Sequence, residues 1–175
     1  MNTRSTLPDL PAEVRALAVR LGAREGAAGA MVALEQRGTM RTAPGGKPIV
    51  FTARQTIALD TIGFEWRARC GPFGAVSVMD LRPESWGVRV RLMGLVPLAT
   101  FVDSPAARKG ETMRYLAELP LSPDAILRNP QLTWQVIDAH TFIVSSHDGG
   151  DEVTLRLSPD GLVASMEASG RPRIE

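Results

Sequence analysis

Arg114 and Glu118 stand four residues apart in the run ETMRYLAELP, with Tyr115 beside the arginine. On a helix that spacing puts both charges on one face. Two kinds of chemistry follow. Aimed into a cavity, the guanidinium fork can anchor a carboxylate or oxyanion and the carboxylate can act as acid or base. Tyr115 or Asp80 is then available to assist. Aimed at water, the same pair is an ordinary surface bridge worth roughly a few tenths of a kcal/mol. Spacing alone leaves both open, and the elements that hold the pair decide.

Few other residues carry chemistry. His140 and His147 have no second His, Cys or carboxylate at a ligand spacing, and Asp148 and Asp151 beside His147 read as loop residues. No metal and no cofactor is expected. Pro44-Gly45-Gly46 fits no phosphate-loop pattern and reads as a turn. Cys70, the only cysteine, excludes an intrachain disulfide and falls in the apolar set of its strand, so it reads as a core residue. Arg89 and Arg91 lack the interleaved aromatics of a nucleic-acid platform, so no nucleic-acid partner is expected.

The positioning elements follow from periodicity. Residues 8–22 suit an amphipathic helix, with Pro11 in its first turn, Leu10, Val14, Leu17, Ala18 and Leu21 at helical spacing, and Gly22 as C-terminal cap. Residues 31–103 read as a run of about six strands. Phe64, Trp66 and Ala68 alternate with Glu65, Arg67 and Arg69, and Trp86, Val88 and Val90 alternate with Gly87, Arg89 and Arg91. Pro97 predicts an edge or bulged strand over 95–102. Residues 104–128 predict a helical lid in two pieces, each opened by a Ser-Pro pair (Ser104-Pro105 and Ser122-Pro123), with Gly110 weakening or interrupting the first piece and 111–119 as its firm part. Residues 130–170 read as four more strands with hairpin turns at Asp148-Gly149-Gly150 and Ser158-Pro159-Asp160-Gly161.

The predicted class is α+β, one domain over 1–175. No helix separates consecutive strands within either run, so the sheet is expected to be mostly antiparallel, and about ten strands predict a curved half-barrel with the helical insert on its concave side. A total of 20 basic against 19 acidic residues, net +1, gives no global attraction to polyanions. No apolar run is long enough to span a membrane, and the first residues lack a signal-peptide core, so a cytoplasmic location is expected.

Gly63-Phe64-Glu65-Trp66-Arg67-Ala68-Arg69, Leu92-Met93-Gly94-Leu95-Val96-Pro97, Arg114-Tyr115-Leu116-Ala117-Glu118 and Leu132-Thr133-Trp134 together resemble a bacterial family of unknown function. Its motifs are G-F-x-W-x-A-R and an R-Y-x-A-E helix followed by proline. That family is similar in organisation to the lipoprotein-carrier (LolA/LolB-like) half-barrels, in which a curved sheet and a helical lid enclose an apolar cavity. The resemblance assigns no role to Arg114 or Glu118.

Two functions are expected from the residues. One is a binding module for a lipophilic or amphipathic small molecule, lined by Phe64, Trp66, Trp86, Val88 and Trp134 and anchored by Arg114. The alternative is an enzyme on a small organic substrate, with Glu118 as acid or base and Arg114 as anion partner, Tyr115 or Asp80 assisting. The oligomeric state is left open.

Overall fold

Alternation of apolar and polar residues becomes strand after strand in the computed structural model. It describes residues 9–172 apart from 27, 42–44, 72–75, 82–86, 93–95, 102–103 and 148–149. Helix α1 (Ala12–Arg20) precedes strands β1 (Met31–Met40), β2 (Ile49–Ala58), β3 (Phe64–Cys70), β4 (Val76–Leu81), β5 (Gly87–Leu92) and β6 (Val96–Phe101). Helix α2 (Pro105–Glu118), a single 3-10 turn (Leu119–Leu121) and helix α3 (Pro123–Arg128) follow. The chain ends in β7 (Leu132–Asp138), β8 (Thr141–Ser146), β9 (Glu152–Leu157) and β10 (Val163–Glu167).

The class is α+β and every described ladder is antiparallel. The strands pair as two sheets, one in the order β1-β2-β3-β4-β5-β6 and one in the order β10-β9-β8-β7. The single ten-stranded half-barrel read from the sequence is therefore not what the pairing gives. The helical stretch between β6 and β7 breaks the meander, and alternation within a strand carries no information on whether the next strand joins the same sheet.

The chain folds into two units. Met1–Ala30, Ala58–Ile62 and Lys109–Glu175 form one, and Met31–Ile57 with Gly63–Arg108 forms the other. In the first unit, α1 ends in a Schellman motif. Gly22 adopts φ 103°, its N–H donates to Val19, and the Ala23 N–H donates to Ala18. Val14, Leu17 and Ala18 of α1 are buried, as are Met113, Tyr115 and Leu116 of α2 and Ala125, Ile126 and Leu127 of α3. Phe142 and Val144 face Leu155 and Val153 across the β8–β9 ladder, and all four are buried. Each such side chain contributes about 1.5–3 kcal/mol relative to exposure.

The second unit is the six-stranded sheet. In β2 and β3, Ala53 pairs with Ala68 and Phe51 with Cys70, giving a buried centre of small residues. Met40, Ile49, Phe51, Trp66, Val76 and Val78 pack around that centre and are half-buried. β6 is an edge strand as expected from Pro97, and its ladder with β5 shifts register between Val90 and Arg91. There a missing N–H costs least.

Two local expectations need correction. Helix α2 runs unbroken through Gly110, because the burial of Met113, Tyr115 and Leu116 just after it favours the helix more than one glycine costs, about 1 kcal/mol. Ser104 caps α2, accepting from the Ala107 N–H at 3.1 Å, but Ser122 makes no such bond for α3. Among the described residues no helix is long and apolar enough to cross a membrane.

Candidate functional site

Buried polar groups on an apolar face need partners, and the six-stranded sheet contains such a set. Gln55 lies between Ala53 and Ile57 on the inward face of β2 and is 1% exposed. Its Oε1 accepts from Gln36 Nε2 of β1 at 2.7 Å, and Gln36 Oε1 accepts from the Trp66 indole N–H at 2.8 Å. Leaving any of these groups unpaired would cost about 1–3 kcal/mol, so the three side chains stand or fall together. The Phe51 and Trp66 rings lie beside them, centroids 5.9 Å apart and tilted by 59°.

Register extends the row. Gln55 is opposite Trp66, Trp66 opposite Asp80, and Asp80 opposite Val88. Phe64, paired with Ile57, shares the same face. Four residues singled out from the sequence (Phe64, Trp66, Asp80 and Val88) thus meet on one face of one sheet. Trp86 lies outside the described residues. Gln36 and Gln55 were missed by sequence reasoning, although the signal was present: a glutamine on the inward register of an otherwise apolar strand.

Arg114, Tyr115, Glu118 and Trp134 belong to the other unit. Arg114 Nε donates to Glu118 Oε1 at 2.9 Å, and its Nη1 lies 3.8 Å from Glu111 Oε2. The three side chains are only 12–22% exposed, so the pair is a half-buried triad along α2 and not a solvated bridge. Tyr115 is 1% exposed. Its hydroxyl donates to the Ala58 carbonyl at 2.9 Å and accepts from Asn129 Nδ2 at 2.8 Å.

That phenol belongs to a larger clamp around Ala58–Ile62. Asn129 Oδ1 accepts from the Gln131 N–H at 2.9 Å, and Gln131 Oε1 accepts from the Ile62 N–H at 2.7 Å. Arg128 grips both carboxylate oxygens of Asp60, at 3.1 and 3.0 Å, and donates to the Gly29 carbonyl at 2.7 Å. Leu59 N–H donates to the Ala30 carbonyl at 2.9 Å. Such a bidentate fork gives direction as well as attraction. Asn129, Gln131, Arg128 and Asp60 escaped the sequence reading because their partners are up to 99 residues away in the chain.

Trp134 of β7 pairs with Val144 on the face that also holds Leu132 and Phe142. Its indole nitrogen is buried without a hydrogen-bond partner among the described residues. Cys70 is buried, and that burial pushes its thiol pKa up, away from the thiolate a nucleophile needs. Among the described residues no three His, Cys, Asp or Glu side chains gather as a metal site would require.

No curated protein and no solved structure matches the chain. One family model does, over residues 1–175: that of a family of unknown function (DUF6544).

Proposed function

The chain belongs to DUF6544 over its whole length, and we propose that it binds an amphipathic small molecule on the inward face of the six-stranded sheet. The observation that carries this reading is the Gln36–Gln55–Trp66 row set into an apolar face. Small side chains at Ala53 and Ala68 sit low between taller neighbours, Phe51, Trp66 and Val78. A face with that relief favours an aliphatic chain laid along the small residues, and the amide row supplies donors and acceptors for a polar end. Phe64 and Trp66 belong to the apolar part, and Asp80 and Val88 follow Trp66 in the register of β4 and β5.

The residues of α2 fit a different task. Arg114 is held by Glu111 and Glu118, and Tyr115 is built into the clamp on Ala58–Ile62, so they read as supports of their own unit. The acid/base alternative at Glu118 gains no observation beyond its spacing.

The test is native mass spectrometry of freshly purified protein, followed by titration of solvent-extracted protein with a straight-chain amphiphile while Trp emission is read. A retained small molecule, and an emission change absent in Trp66→Phe, support the reading. Protein that carries nothing and gives no Trp66-dependent response overturns it.

A further inference from the structure

The outward face of the same sheet carries a charge that the chain totals conceal. Register puts Arg54 opposite Arg67, Arg67 opposite Met79, and Met79 opposite Arg89. One step along, Arg69 is opposite Ser77 and Ser77 opposite Arg91. On β1, Glu35 bonds Arg54 and therefore shares this face, as does Arg37 two residues on. Six arginines stand against two glutamates, Glu35 and Glu65, on these outward positions. That is a formal +4 on one sheet face, in a chain whose total is +1.

Arginines placed directly across a ladder repel one another, and a fold keeps them only if something offsets the cost. Glu35 and Glu65 offset it for Arg54 and Arg67. Arg37 and Arg69 are exposed and have no acidic partner among the described residues. The described outward residues include no aromatic side chain that would stack bases, which argues against single-stranded nucleic acid. They do include Met31 and Val50, exposed at 63% and 62%. A broad cationic face with aliphatic tips suits a flat array of phosphates on an apolar support.

We propose that the outward face of the six-stranded sheet docks on an anionic lipid bilayer surface. Each arginine near such a surface contributes about five-fold in affinity, and the attraction falls off within a Debye length. This inference stands apart from the ligand reading, since it uses the opposite side of the sheet.

Vesicle co-sedimentation tests it, with phosphatidylcholine vesicles containing or lacking phosphatidylserine, at low and at physiological ionic strength. The expected result is binding only to the phosphatidylserine vesicles, weakened by salt. In Arg37→Gln/Arg69→Gln it should be about thirty-fold weaker. Arg24→Gln/Arg171→Gln, exposed and in the other unit, should bind like the unmodified chain. Circular dichroism verifies that both variants are folded. Absence of phosphatidylserine-dependent binding overturns the proposal, as does equal loss in both variants. Binding of single-stranded DNA that needs Arg37 and Arg69, without vesicle binding, also overturns it and assigns the face to nucleic acid.

Discussion

The Asn129 amide donates to the Tyr115 hydroxyl at 2.8 Å, and both side chains are about 1% exposed. The hydroxyl in turn donates a hydrogen bond to the Ala58 carbonyl, so one buried oxygen joins α2, the C-terminal cap of α3 and the end of β2. Removing it in Tyr115→Phe leaves the buried Asn129 donor and the half-buried Ala58 acceptor without this partner while keeping the ring. The expected loss is about 1–3 kcal/mol, seen as a lower midpoint in urea with an unchanged slope. A variant as stable as the parent would mean that the bond contributes nothing.

Arg114→Ala should destabilise the fold by about 1–2 kcal/mol, between the surface and the fully buried limits. It leaves Glu111 and Glu118 half-buried on one helix face without the cation between them. Denaturation at low and high salt checks this, because part of the cost is carboxylate repulsion that salt screens. Glu118→Gln, which keeps a hydrogen-bond acceptor, should cost less.

Gln36→Leu takes away the acceptor of the Trp66 indole and the donor to Gln55 at once. Stability should fall by about 1–3 kcal/mol. Trp emission should shift, and the shift should vanish in the Trp66→Phe background, which separates Trp66 from the other two tryptophans. Emission that is identical in both backgrounds would show that the row does not form in solution.

Cys70 gives a pH signature. Burial raises its pKa in the folded chain, so in alkali the unfolded thiol ionises first. Stability from this group is complete below the ordinary thiol pKa, about 8.5, and is lost as pH rises through the raised value. Cys70→Ala should therefore lose less stability than the parent between neutral and alkaline pH. In the native protein a thiol-reactive dye should label Cys70 far more slowly than in denaturant.

The strand and helix segments were legible because each carries its own period. Phe64, Ala68 and Cys70 alternate inward on β3, and Val14, Leu17 and Ala18 recur inward on α1, as the spacing predicts. Gly22 and Gly161 were readable as stops because only a positive φ completes those turns, at 103° and 79°. The ion pair of Arg114 with Glu118 was legible from i,i+4 spacing, although its burial was not. The clamp of Tyr115, Asn129, Gln131 and Arg128 was not legible at all, since local period says nothing about which distant backbone groups will need partners.

By itself the sequence determined the antiparallel α+β character, the strand and helix segments and the inward set on each strand, because these depend on side-chain alternation along one segment. Tertiary structure alone decided that the strands divide into two sheets, that Arg114 lies half-buried between Glu111 and Glu118 on α2, and that Gln36, Gln55 and Trp66 form one row. It also decided that six arginines gather on one sheet face although the whole chain is nearly neutral. Each of those depends on pairing between segments far apart in the chain. Pairing is settled by burial and by the hydrogen bonds that buried groups must find, and no local pattern encodes it.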